Sequence, residues 1–152
     1  MTPVYDITKK IKDELIGEPF INTVTFGSLN DVDLDKQSIF PLGHIDITST
    51  NVSTNVLRFN MSVLVMDIVD ISKEETTDNF VGNDNEQDVL NTTLSVLTRV
   101  LNVMQRGSLY VDKYQIEDSV TCEPFVDRFE NKLAGWAATF EVVIQNEMTT
   151  CD

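Results

Sequence analysis

The chain has 152 residues, the size of one domain that could bury about two thirds of its unfolded surface. Its 11 Lys and Arg against 25 Asp and Glu leave a net charge of −14, which argues against gripping nucleic acid or an anionic membrane. Two cysteines are too few for a disulfide framework, and neither a basic-then-apolar leader nor an apolar run of membrane length is found, so a soluble intracellular protein is expected.

The first element reads as a helix, because Val4, Ile7, Ile11 and Leu15 recur at the spacing that lines one helical face. Thr2 suits its cap, Pro3 its first position, and Gly17 with Pro19 end it. A loop-rich passage follows, with a short strand expected at Thr23–Phe26 and alternating Asp31, Asp33 and Asp35. His44 to Thr48 alternates with period two, and Ser53-Thr54-Asn55 can reverse the chain. Leu57, Phe59, Met61, Val63 and Val65 then share one face. The opposite face turns apolar at Leu64, Met66 and Ile68, which predicts a long hairpin whose second strand ends in the sheet centre.

Residues 67–88 carry eight acidic groups against Lys73 alone, half of the net charge. A long acidic loop is expected at about 72–85. The second helix follows: Leu90, Leu94, Leu97, Leu101 and Met104 form one row, and Val89, Val96, Val100 and Val103 an adjacent one. Asn83 or Asn85 caps it and Gly107 ends it. Strands are expected at Leu109–Ile116, Val120–Phe125 and Trp136–Gln145, with a connection of mixed character from Asp127 to Leu133 and a short tail at 146–152. The order of elements predicts a single α+β domain with two helices packed on a mainly antiparallel sheet.

Catalytic signatures are scarce. Cys122, His44 and Asp46 could form a triad only in a formal sense, and a hydrogen-bonded strand histidine is the ordinary reading of His44. Asp31-Val32-Asp33-Leu34-Asp35 starts like a calcium loop, but Lys36 stands where the turn needs Gly and Leu42 where a bidentate Glu is needed. One His and two distant Cys do not supply a zinc site. Asp67 and Asp70 are at odd separation, so a strand would point them to opposite faces. The triplets at Asn51, Asn60 and Asn91 are chance matches to the glycosylation pattern when no secretory leader precedes them. No enzyme, metal or cofactor is expected.

Three stretches carry a resemblance: Met66-Asp67-Ile68-Val69-Asp70-Ile71-Ser72, Asp127 through Trp136, and Asn146 through Cys151. They resemble small structural proteins of tailed bacteriophages infecting Bacteroidetes, the crAss-like phages among them. The element order is similar to that of tail-terminator and neck proteins. The resemblance implies a virion protein of the neck or tail, assembled in the host bacterial cytoplasm as a ring around the DNA channel. Its partners would be copies of itself, neighbouring portal, neck or tail proteins, and genomic DNA that passes without specific binding. On that reading Phe125, Phe129 and Leu133 are candidate interface residues, with core packing as the alternative. Asp31, Asp33, Asp35, Glu74, Glu75 and Asp78 are candidates to line the channel, where negative charge repels phosphate, with a plain solvated loop as the alternative. A different class of function, a soluble acidic adaptor for a basic protein partner, is the competing expectation.

Overall fold

A computed structural model describes residues 3–28, 39–69, 85–107, 114–117, 119–128 and 132–146. The elements are α1 (Pro3–Ile16), β1 (Thr23–Phe26), β2 (Leu42–Val52), β3 (Val56–Ile68), α2 (Glu86–Gln105), β4 (Tyr114–Ile116), β5 (Thr121–Arg128) and β6 (Lys132–Gln145). The order is the expected one, and the class is α+β with two helices and a six-stranded, mostly antiparallel sheet.

The strands run β1-β2-β3-β6-β4, and β5 also pairs with β6. β4 meets β6 at Val142–Ile144 and β5 meets it at Lys132–Thr139, so the two short strands lie end to end along one long one. β1 is parallel to β2, whereas every other pairing is antiparallel. The hairpin of β2 and β3 is closed by the Ser53 N–H donating to the Val56 carbonyl at 3.0 Å. A bulge between Ile47 and Ser49 shifts its register.

Both helices cover one face of the sheet. Ile7, Ile11 and Leu15 of α1 and Val96, Leu97, Val100, Leu101 and Met104 of α2 pack on Ile45, on alternate residues from Leu57 to Val65, and on Ala138, Phe140, Val142 and Ile144. The buried stripe of α2 thus runs between the two expected rows. Leu90 and Leu94 are half-buried, Val103 is exposed, and Thr93 is fully buried with its hydroxyl donating to the Val89 carbonyl at 2.7 Å. Val4, expected on the inner face of α1, is exposed.

The last third differs most from the sequence expectation. The connection expected from Asp127 to Leu133 is largely strand: β5 runs on to Arg128 and β6 begins at Lys132. Direct pairing of Asp127 with Leu133 and of Arg128 with Lys132 gives their backbones ladder partners despite the charged side chains in the local sequence. Of the strand expected at Leu109–Ile116, the described part is Tyr114–Ile116.

Gly135 has a packing reason. It is buried between its register partners Met66 and Phe125, and a Cβ there would strike the Val65 carbonyl and come within 2.8 Å of Met66 Cα. Only a residue without a side chain permits β3 and β6 to approach this closely.

Candidate functional site

Strand alternation assigns the second sheet face. It carries Leu42, His44 and Asp46 of β2, the even residues of β3, Leu133, Gly135, Ala137, Thr139 and Glu141 of β6, and Thr121, Glu123 and Phe125 of β5. One end of this face is apolar: Phe40, Leu42, Met66 and Leu133 are buried, with half-buried Ile39, Leu64, Ile68 and Phe125 around them. The other end is polar, with Asn60, Ser62 and Thr139 in line and Arg58 3.8 Å from Glu141. That ion pair is exposed on both sides and contributes little.

Placement of the expected residues follows from this division. Leu133 is fully buried within its own chain, and Phe125 is half-buried beside it. Phe129 lies outside the described residues, as do Asp31, Asp33, Asp35, Glu74, Glu75, Asp78, Asp70 and the tail from 147 onward. Asp67 is at the end of β3, where its carboxylate accepts the Ile68 N–H at 2.8 Å.

The formal triad does not assemble. Cys122 is on β5 and packs toward the helix side, whereas His44 and Asp46 are on β2 and face the other way, with β3 and β6 between. His44 is buried and both of its ring nitrogens are engaged. Nε2 lies 2.8 Å from the Gly27 carbonyl, a pure acceptor, so Nε2 carries the proton. Nδ1 pairs with the Thr25 hydroxyl at 2.7 Å. The imidazole ties β1 and the turn at Gly27 (φ 108°) to β2. Among the described residues, no three His, Cys, Asp or Glu side chains are grouped to hold a metal ion. Among the described residues, no helix is long and apolar enough to cross a membrane.

Among the described residues, two ion pairs tie α2 to neighbouring segments. Arg99 of α2 donates from Nε and Nη2 to both carboxylate oxygens of Glu18, at 2.9 to 3.0 Å, which pushes its guanidinium further up from the ordinary arginine value. Lys132 at the start of β6 reaches Glu86 in the first turn of α2 at 3.4 Å.

Sequence reasoning missed the two outer edges of the sheet. The Gly27 N–H donates to the Ile45 carbonyl at 3.0 Å, so the backbone of Ile45 points away from β3. The same alternation, carried past the bulge by the pairs Ser49–Asn60 and Asn51–Arg58, aims the backbone groups of Ile47, Thr50 and Val52 outward. Among the described residues, β1 covers β2 from Leu42 to Ile45, and the residues from Thr48 to Val52 are all exposed. On the opposite side, Val69 donates to Lys132 and Asn146 to Asn55, which makes Val65 and Trp136 a bonded pair. The backbone of Trp136 is thereby turned to β3. Pro124, opposite Trp136 in β5, holds its ring nitrogen on the edge away from β6, where it breaks no ladder bond among the described residues. A proline inside a strand-like run was the signal for an edge.

No protein-family model matches the chain, and no match is found among curated proteins.

Proposed function

We propose that this chain is a non-enzymatic virion structural protein that forms a ring at the head–tail junction or tail end of a tailed phage, around the DNA channel. The resemblance of three stretches to phage neck and tail proteins suggests the setting. One structural observation supports the ring: among the described residues, the sheet has two different edges without a strand partner on opposite sides of one subunit, β2 beyond Ile47 and β5. A ring needs such a pair of unlike surfaces, because each copy must offer one to the copy before it and the other to the copy after. Phe125, half-buried at the β5 side, remains an interface candidate, whereas Leu133 serves the core of its own chain.

In this reading the acidic stretches around residues 31–35 and 74–78 repel the phosphates of DNA in transit, so the genome slides without being held. Particles carrying Glu74, Glu75 and Asp78 all changed to Lys should assemble and eject DNA more slowly. Ejection at the normal rate would remove these residues from the channel. Symmetry-averaged density at the neck or tail end of the particle tests the placement. A chain absent from that density, monomeric at all concentrations and captured by a basic protein, would instead be an adaptor.

A further inference from the structure

We propose that the ring closes through its sheets: the free edge of β2 in one copy pairs antiparallel with the free edge of β5 in the next. The inference rests on the ring reading and names the surfaces that join.

Direction and facing agree. Within one copy β2, β3, β6 and β5 alternate in direction, so β5 of a neighbour laid against β2 continues the antiparallel pattern. Ile47, Thr50 and Val52 face the helix side of β2, and Cys122, Pro124 and Val126 face the helix side of β5. Joining the edges with helices on the same side brings Ile47 and Val52 beside Cys122 and Val126, with Thr50 among them. On the other side, Ser49 and Asn51 meet Glu123 and Phe125. Val52 and Val126 are 73% and 44% exposed, large apolar groups that a single copy leaves in water.

Pro124 and the bulge narrow the register. Setting Val52 opposite Cys122 puts Thr50 opposite Pro124. The Thr50 N–H donates to the Pro124 carbonyl, and the missing N–H of Pro124 forfeits one bond. Val126 then lies beside the bulge between Ile47 and Ser49, where an extra residue absorbs the mismatch. The same two features discourage other chains from adding to these edges.

The test uses the native Cys122. In one subunit residues 52 and 122 are separated by three strand spacings across the sheet and, because Val52 is level with Ile144 and Cys122 with Ala138, by six residues along it, roughly 24 Å in all and too far for a disulfide. In the proposed register they form a hydrogen-bonded pair with Cα atoms about 5.5 Å apart, within bonding range. Val52→Cys with Cys151→Ser, oxidised in concentrated purified chain and in assembled particles, should give a ladder of covalently linked copies on denaturing gels. Adding Cys122→Ser should abolish the ladder. Val52→Lys should lose self-association while keeping its melting temperature, because the side chain is exposed. Rings without the cross-link overturn the edge pairing and leave the ring reading intact. A cross-link that persists in Cys122→Ser joins β2 to β2, which also overturns it. Absence of the chain from neck and tail density overturns the ring reading itself.

Discussion

His44 holds Gly27 through the carbonyl of a residue whose own N–H reaches back to the Ile45 carbonyl, so the turn after β1 is fastened twice to the same strand. The buried ring replaces water for both partners, and its Nδ1 keeps the Thr25 hydroxyl aligned with the sheet. A side chain of similar size without these nitrogens would leave polar groups stranded.

His44→Leu is therefore expected to destabilise the protein by about 2 kcal/mol, the typical cost of abandoning buried hydrogen-bond partners. The check is urea unfolding, where the midpoint should fall with an unchanged slope. Hydrogen exchange should speed up first at Gly27, whose N–H bond to Ile45 depends on the turn being held.

Gly135→Ala should be far more damaging. The new methyl group has nowhere to go except into the β3 backbone at Val65 and Met66. A loss of at least about 3 kcal/mol is expected, at the upper end of overpacking costs. Poor soluble yield or a large drop in melting temperature would show it, and a variant as stable as the parent would contradict the close approach of β3 and β6.

Trp136, the only tryptophan, donates from Nε1 to the Leu90 carbonyl at 2.9 Å and pins β6 to α2. Trp136→Phe keeps most of the apolar packing and removes that donor, so a cost of about 1 kcal/mol is expected. Calorimetry measures it. In the parent, the indole fluorescence should change in the same transition as the helical circular dichroism signal, since the indole is bonded to the helix.

Burial pushes the Cys122 thiol up from its ordinary value. The unfolded chain releases this proton first as pH rises, so the contribution to stability is complete below the ordinary thiol range and is lost above it. In Cys151→Ser protein, the midpoint of iodoacetamide reactivity against pH should lie above the range near ~8.5 typical of free thiols. A midpoint below that range would mean that a positive charge approaches the sulfur.

Local periodicity was enough to read both helices, the hairpin and the switch of β3 from one apolar face to two, because each is a pattern within a dozen residues. It also gave the correct reading of His44 as a satisfied strand residue, although Thr25 and Gly27 could not be identified from a spacing of nearly twenty positions. The extension of β5 and β6 through Asp127 and Lys132 was not legible: ladder pairing with a distant strand overrides an unpromising local composition. The parallel placement of β1 escaped for the same reason, since nothing in four residues states which neighbour they will join. The open edges depend on where β1 stops and which way the Trp136 backbone turns, facts that exist only once the sheet is assembled.

The place of β6 between β3 and the end-to-end pair β4 and β5 has a kinetic consequence. β3 can zip onto β2 through a short turn as soon as both are made, but its other side waits for a strand encoded far downstream, after α2. Until β6 arrives, the apolar floor beneath α2 is half built and β3 remains a sticky edge. Closing so long a loop is entropically slow, so folding should be governed by the arrival of one strand. Chaperones would meet this chain in that interval.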